Sequence, residues 1–452
     1  MKHFWKVVLV FLVGAIPVGA KEYSFTQAYE RVLNTDESLA AARAEAKSLQ
    51  AQKSSARGLY YPSIGVKGTY TRINAPISIN LNGIRSAVQP LYPASVVLPS
   101  FDMQVQDEHF FKAQAYATFS IYTGGKISSA NAAASANYAG SVAQIDVQAN
   151  NLLVELARKY FGKFLADETV SVRKLFLQNA RQNAQDAAKM FHAGTISKVE
   201  KMAVDVILAQ ARRDYTSSLN DAQMAQTLLK SLLSQQEDIQ TSSSLFVVPL
   251  EQMPTLQEFQ HQALGHNPAL SVLNSKANLS LANEKAQKAD FFPSVYLFGQ
   301  RELHTHDLTL LEPDWAYGVG VAWNLFEGGQ NYHKTKAAQE ETRRIEELKA
   351  QLTKDITTGI EYYYKKMQNA QETYTALQEE LAFTEAFYKA RQLGFKAGTA
   401  TSLEVNMALS QWQKTQLDYL KAQYDFVTSL AAILNLSGQT NLFGVYAQGA
   451  NK

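Results

Sequence analysis

The sequence WAYGVGVAWNLFEGG, at residues 315–329, contains the pattern that decides the fold. Apolar side chains occupy every second position from Trp315 to Leu325, and the positions between them are small or polar. Alternation of this kind indicates a β-strand with one apolar face, and the glycine pair that follows it indicates a turn. We therefore predict a strand at 315–325 that is ended by Gly328 and Gly329.

The same pattern occurs 204 residues earlier, as FKAQAYATFSIYTGG at residues 111–125. Two further landmarks are repeated. YYPS at 60–63 returns as FFPS at 291–294, and FHAGT at 191–195 returns as FKAGT at 395–399. Repeated landmarks in a fixed order indicate an internal duplication, with each half of the chain forming one structural repeat.

Each repeat shows one order of elements: a helix, a Pro-Ser pair, two strands, a Gly-Gly pair, a very long helix and a returning helix. The first repeat, 21–235, is expected to hold strands at about 64–72 and 111–122 and helices at 36–59, 126–193 and 197–235. The second repeat, 255–437, is expected to hold strands at 295–303 and 315–325 and helices at 268–291, 330–397 and 400–436. A linker at 236–254 and a tail at 438–452 complete the chain, and the Pro-rich segment 74–108 is expected to be a long loop.

The helix predicted at 330–397 is too long for a compact globule. From Ile345 to Phe395 an apolar residue recurs every three or four positions, and only Thr384 and Arg391 interrupt the series. Such a repeat predicts helices that pack on one another at a shallow angle, as in coiled coils. At 1.5 Å per residue this helix would be roughly 100 Å long, and Gly398 would end it in a left-handed cap.

The N-terminus has the features of an export signal. Lys2 and Lys6 precede an apolar run at 7–16, and small residues follow at 18–20. We interpret residues 1–20 as a cleaved signal peptide. The alternative, an N-terminal membrane anchor, is disfavoured because the run is far shorter than the roughly 20 residues that a spanning helix needs. Since the chain has no cysteine, bacterial lipid attachment is not expected.

Composition and motifs exclude several classes of function. Lys and Arg number 43 against 41 Asp and Glu, so the excess of positive charge that nucleic-acid binding needs is missing. No phosphate-binding loop or catalytic Ser/His/Asp spacing occurs, and the absence of cysteine excludes thiolate sites. We expect no enzymatic activity, no cofactor and no metal. The pair His304-x-His306 is interpreted as part of a solvated outer loop, and the alternative is contact with a metal ion.

The predicted strands raise the question of a membrane. Trp315 and Trp323 would stand about 26 Å apart on one face, the spacing of an aromatic girdle at the two rims of an outer-membrane barrel. The alternative is a soluble, half-buried sheet with two core tryptophans. If the strands lie in lipid, four of them cannot close a barrel, and open edges are not tolerated there, so several protomers must share one barrel.

In this order of elements the chain resembles the TolC-type outer-membrane efflux and secretion channels. The resemblance rests on the export signal, the duplicated order and the two Ala-Gly-Thr hairpins, and it covers about 24–438. It implies an α+β membrane protein: a homotrimer in which four strands per protomer build a shared 12-stranded β-barrel, continued by a long α-helical coiled-coil barrel across the periplasm. It also implies a passive exit duct in the outer membrane for a tripartite efflux pump or type I secretion system, contacted by a periplasmic adaptor and an inner-membrane pump. Segment 236–254 and the C-terminal residues would form a belt around the tunnel.

The resemblance further implies a constriction beyond the second hairpin. Glu404 matches its first carboxylate, Met407 stands at the second, Phe395 at a tyrosine position and Ala400 at an arginine position. Glu200 matches an acidic partner in the first hairpin, and Lys198 and Lys201 are the candidates to replace the missing arginine. Three Glu404 side chains would form a ring that attracts cations. Alternatively, Glu404 is an exposed glutamate favoured by the helix dipole.

The turns themselves are the expected adaptor contacts: Gly194 and Thr195 in the first hairpin, Gly398 and Thr399 in the second. Alternatively, these glycines only cap helices. A different function for the whole chain is also open, namely an exported coiled-coil scaffold without channel activity, whose strands form a small soluble sheet. That interpretation leaves the apolar strand face unexplained. A barrel built by one subunit alone is opposed by the count of four strands.

Overall fold

A computed structural model describes residues 21–309 and 312–449. The predicted signal peptide and the last three residues of the predicted tail lie outside the described residues. Over the described part, the chain forms eight strands, namely β1 (Lys21–Tyr23), β2 (Ser63–Arg72), β3 (Ile77–Asn80), β4 (Asp102–Gln106), β5 (His109–Tyr122), β6 (Ile239–Thr241), β7 (Ser294–Glu302) and β8 (Trp315–Ala322). The helices are α1 (Phe25–Thr35), α2 (Glu37–Arg57), α3 (Asn82–Val88), α4 (Lys126–His192), α5 (Lys198–Leu232), α6 (Leu256–His266), α7 (Pro268–Lys288), α8 (Gln330–Lys396), α9 (Ser402–Ser437) and α10 (Phe443–Gly449).

The two longest helices, α4 and α8, have 67 residues each and occupy equivalent places in the two repeats. Each begins after a glycine pair with positive φ angles, and each ends at a glycine with a positive φ angle. Glycine adopts this left-handed backbone without the steric cost of a side chain, which is why the sequence places it at these joints. The ends of the elements expected for the two repeats differ from the observed ends by at most three residues.

The segment 74–108 corrects our expectation of a long loop. Strands β3 and β4 pair in an antiparallel hairpin within it, and helix α3 lies between them. Its prolines mark the ends of these elements: Pro76 directly precedes β3, and Pro90 follows α3. Proline lacks an amide hydrogen, so it is suited to the borders of a strand or helix and does not exclude them nearby.

The described residues divide into two compact units. The helical unit contains residues 21–45, 142–272 and 349–449, and the sheet unit contains residues 46–141 and 273–348. None of the described helices carries an apolar stretch long enough to cross a bilayer.

The sheet unit is built on a four-stranded antiparallel sheet with the order β2-β5-β7-β8. Residues directly opposite each other in an antiparallel pair project from the same face. The register Val66↔Ala115, Phe119↔Leu297 and Leu297↔Val319 therefore joins the apolar residues of all four strands on one side. We call this side the apolar face; its apolar members are Ile64, Val66, Tyr70, Phe111, Ala113, Ala115, Ala117, Phe119, Val295, Leu297, Trp315, Tyr317, Val319 and Val321. The same register places Arg72, His109 and Arg301 near the ends of the strands on this side.

The opposite face of the sheet carries polar side chains and aromatic rings that cover glycines on the two edge strands. Tyr116 of β5 lies over Gly65 of β2, and Tyr296 of β7 lies over Gly320 of β8. An aromatic ring placed across from an edge glycine shields the backbone there and restores the packing that glycine lacks. These pairs therefore help to fix the register of the edge strands β2 and β8 against the central strands β5 and β7.

We predict that Gly320→Ala destabilises the sheet. A β-carbon at this position would overlap the Tyr296 ring, and overpacking of this kind typically costs about 1–3 kcal/mol. Gly299→Ala is the matched control, because a β-carbon there would be 3.9 Å from its nearest neighbour, the β-carbon of Tyr317. Thermal unfolding in detergent should show a lower midpoint for the first variant only, and equal midpoints would show that the Tyr296 ring adjusts freely.

The main core of the helical unit joins segments that are distant in sequence. Phe25 of α1, Phe161 of α4 and Phe443 of α10 pack together with ring centroids 4.7–6.3 Å apart. The buried Tyr160 hydroxyl donates a 2.7 Å hydrogen bond to the Tyr23 carbonyl. Strands β1 and β6 pair in parallel beside this core. Strand β1 with helix α1, the segment after α5 and helix α10 are thus held as one body.

Candidate functional site

The two hairpin turns of the helical unit have the same backbone geometry. In the first turn, the Gly194 amide donates to the Phe191 carbonyl and the Thr195 amide donates to the Met190 carbonyl, at 3.0 and 2.9 Å. In the second turn, Gly398 and Thr399 make the equivalent bonds at 3.1 and 2.8 Å. This pair of bonds is the Schellman motif, and it requires the φ angles of +73° and +75° that the two glycines adopt.

The residues after each turn cap the returning helix. The Ser197 hydroxyl accepts a hydrogen bond from the Glu200 amide, and the Thr401 hydroxyl accepts one from the Glu404 amide. In the second hairpin, the Glu404 carboxylate also accepts a 2.8 Å bond from the Thr401 amide, which completes a capping box. The start of α9 is therefore specified locally, by the capping box that Thr401 and Glu404 form.

Both carboxylate oxygens of Glu404 have partners in its own chain. Oε2 accepts from Thr401, and Oε1 lies 3.4 Å from Nη1 of Arg391 on α8. The bonds from the Thr401 amide and hydroxyl, followed by the charge of Arg391, hold the pKa of Glu404 below its usual range. The side chain is still 43% exposed, so the carboxylate can face solvent and a passing ion.

Arg391 places an arginine beside Glu404, although the matched arginine position is Ala400. Its guanidinium pairs with Glu404 and lies 5.1 Å from the centroid of the Phe387 ring. Lys201, one of the two lysines that are candidates to replace the missing arginine, pairs with Asp205 on its own helix at 2.6 Å. Replacement of that arginine by Lys198 or Lys201 stays a prediction. The signal was present in the sequence, because Arg391 interrupts the apolar series of α8.

Glu200 connects the two hairpins. Its Oε1 accepts a 3.3 Å hydrogen bond from the hydroxyl of Ser402, which is buried at the start of α9. A second polar contact lies nearby, where the buried Asn183 amide donates to the side-chain oxygen of Asn406 at 3.2 Å. Sequence reasoning missed this buried pair. Satisfied polar contacts inside an apolar core fix one register between the helices that carry them.

Phe395 and Met407 lie in different surroundings. Phe395 is buried and packs with Val405 and Leu409 in the second core of the helical unit. Met407 is 64% exposed on α9, one turn after the exposed Leu403. The burial of Phe395 gives it a packing role within the chain, and a position at a constriction stays a prediction for both residues.

A groove of about 640 Å³ lies between the two turns. Residues of the first hairpin on its wall include Thr195 and Glu200, and those of the second include Gly398 and Thr399. A β-carbon added at Gly194 or Gly398 would meet no other atom within 4 Å. The turns are therefore open on the outside, and a partner could approach their backbone closely.

The two tryptophans expected at the membrane rims belong to the sheet unit. Trp315 is 61% exposed on the apolar face and stacks on Tyr317 with centroids 5.6 Å apart. Trp323 is 55% exposed and lies just beyond the end of β8, which is three residues shorter than expected. Its indole N–H donates a 3.1 Å bond to the Phe291 carbonyl, which fixes the ring beside the start of β7. The assignment of both residues to a girdle stays a prediction.

Comparison with known proteins identifies the family to which the chain belongs. The family described as outer membrane efflux protein matches residues 28–235 and 260–439. No curated protein matches the chain with significance. Similar solved structures include CusC, with 17% identity over 92% of both chains and a TM-score of 0.75. The CmeC outer membrane channel of Campylobacter jejuni has 14% identity and a TM-score of 0.75, and the match covers 92% of this chain and 86% of that chain. VceC of Vibrio cholerae has 15% identity and a TM-score of 0.73, and the match covers 92% of this chain and 96% of that chain. These structures support the fold, and the family match spans most of the sequence. The chain belongs to the outer membrane efflux protein family, the TolC-like group that its sequence predicts.

Proposed function

We propose that the protein is a trimeric outer-membrane channel, the passive exit duct of a tripartite efflux pump or type I secretion system. The observation that carries the proposal is the four-stranded sheet with one continuous apolar face. Nine large residues of this face are at least 41% exposed in the single chain, namely Ile64, Val66, Tyr70, Phe111, Leu297, Trp315, Tyr317, Val319 and Val321. A soluble protein rarely exposes so large an apolar patch, whereas a lipid-facing barrel wall requires it.

The edges of this sheet support a shared barrel. Among the described residues, β2 and β8 each pair with one neighbouring strand, so each leaves one edge open. Unpaired backbone groups cost several kcal/mol each in hydrocarbon, and they are satisfied when β8 of one protomer pairs with β2 of the next. Three copies of the four-stranded sheet give the 12 strands that we propose for the barrel.

The hairpin tips support docking of an adaptor and a gate. Their turns are open, the groove between them is lined by both repeats, and Glu404 with Arg391 places charge at the start of α9. We assign Gly194, Thr195, Gly398 and Thr399 to contact with a periplasmic adaptor that brings an inner-membrane pump. Export by residues 1–20, without lipidation, delivers the protein to the outer membrane with its helices in the periplasm. We propose no enzymatic activity.

Membrane fractionation and bilayer recording test the channel against the scaffold alternative. A channel remains in the outer-membrane fraction after carbonate extraction, migrates as a trimer in unheated detergent gels and conducts ions in planar bilayers. Release by carbonate without detergent, or a monomer that does not conduct, would favour the coiled-coil scaffold. A photoreactive residue at Thr195 or Thr399 in intact cells should then capture the adaptor, which identifies the pump.

A further inference from the structure

The loop that joins β7 to β8 brings together three side chains that can bind a metal ion. Nδ1 of His306 lies 3.0 Å from Oδ1 of Asp307, and Nε2 of His304 lies 3.6 Å from Oδ2 of the same carboxylate. One ligand atom from each of the three residues lies within 4.8 Å of the other two. In the described part of the chain, no other three His, Asp or Glu residues come together in this way.

The carboxylate of this cluster is held in place by groups outside it. Oδ2 of Asp307 accepts a 2.7 Å hydrogen bond from the Phe111 amide, and the Asp307 carbonyl accepts one from the buried Gln106 side chain at 3.4 Å. The Asp307 side chain is only 18% exposed. Fixed partners of this kind orient a ligand before the metal arrives and raise its affinity.

The two imidazoles are placed on either side of this carboxylate. His304 is oriented by an edge contact with the Phe111 ring, with centroids 5.7 Å apart, and the His306 ring is 86% exposed and held by the Asp307 carboxylate. Zinc binds nitrogen and oxygen donors at about 2.0–2.2 Å, and three donor atoms that lie within 4.8 Å of one another can surround one such ion. The adjoining recess of about 190 Å³, lined also by Asp107, leaves room for water to complete the coordination.

We propose that His304, His306 and Asp307 form a binding site for a divalent transition metal such as Zn²⁺, Ni²⁺ or Cu²⁺. Two imidazoles and one carboxylate match these ions, whereas Mg²⁺ and Ca²⁺ prefer oxygen ligands alone. The proposal replaces our interpretation of His304-x-His306 as a solvated loop with the alternative of a metal contact. Sequence analysis did not name Asp307, the third ligand, whose fixed position depends on contacts with β4 and β5.

The test uses the full-length protein in detergent, with a purification tag that contains no histidine. Titration with Zn²⁺ against a chromogenic chelator should give one bound ion per chain, and excess Mg²⁺ should not displace it. His304→Ala/His306→Ala should remove binding, and Asp307→Asn should weaken it by at least about tenfold, the lower end of the loss that follows removal of an outer-shell partner. His261→Ala/His333→Ala, which removes two exposed histidines elsewhere, should bind as the wild type does. Equal affinity in the first variant and in this control would overturn the site.

A spectroscopic measurement keeps the proposal testable if the double variant misfolds. The electron paramagnetic resonance spectrum of the Cu²⁺-loaded wild type should show coupling to two imidazole nitrogens. His304→Ala and His306→Ala, made singly, should each reduce this to one. A wild-type spectrum without nitrogen coupling would overturn the proposal regardless of how the variants fold.

Discussion

Replacing Gly398 or Gly194 with asparagine should abolish efflux while the protein still folds and assembles. Both glycines have φ angles near +75°, and asparagine tolerates this left-handed backbone better than other side chains, so the Schellman turns persist. A β-carbon at either position would meet no other atom within 4 Å. We therefore expect the added volume to act on what docks against the turn. We expect cells that carry either variant to accumulate a panel of toxic dyes to the level of a deletion strain, while the trimer in unheated gels is unchanged.

The matched control is Gly328→Asn. Gly328 also has a positive φ angle, +60°, and open space around its missing side chain, but it lies at the joint between β8 and α8 in the sheet unit. If efflux depends on docking at the tips, this variant should export like the wild type. Wild-type efflux in both tip variants would leave Gly194 and Gly398 with a capping role alone.

The sequence predicts the repeated elements well because each is specified locally. The alternation of β8 and the apolar series of α8 each encode one face of one element, and glycine or proline marks the ends. Because the chain is duplicated, each pattern occurs twice, and the second copy supports the prediction made from the first. The order of four strands in the sheet and the shared apolar face follow once those elements are paired in sequence order.

Other features depend on partners that no local pattern names. Helices α1 and α6 were not predicted, although Ser24 with Gln27 and Thr255 with Glu258 form capping boxes that a systematic search for this motif would find. The contact between Arg391 and Glu404 joins two helices across a turn, and the cluster around Asp307 depends on a backbone amide of β5. Such contacts form only when the chain folds and brings distant residues together. A sequence can therefore indicate a residue that breaks a local pattern, but it does not indicate the partner of that residue.

If three Glu404 carboxylates form a ring in the proposed channel, Glu404→Gln should relieve block by divalent cations. Glutamine also fills the third position of a capping box, so the variant keeps the start of α9 and removes only the charge. A divalent ion about 4 Å from one carboxylate gains roughly 2 kcal/mol even in water, twice the value for a monovalent ion, so loss of the contact weakens binding roughly thirtyfold. Block by Mg²⁺ in planar bilayers at neutral pH measures this. The lowered pKa of Glu404 means that its charge and its stabilising contacts are present there and are lost only as the pH falls through that pKa.

Arg391 makes the prediction sharper, because its charge offsets that of Glu404 at 3.4 Å. If the carboxylates form a ring in the tunnel, Arg391→Ala frees them and strengthens block by Mg²⁺, so the two variants shift block in opposite directions. Glu258→Gln is the control, since Glu258 forms the same capping box with Thr255 at the start of α6 and has a similarly lowered pKa. A shift in the same direction for all three variants would indicate a general loss of helix stability. Unchanged block in Glu404→Gln and Arg391→Ala would reduce Glu404 to a capping residue, and the constriction would then have to be built from the exposed Met407 and its neighbours.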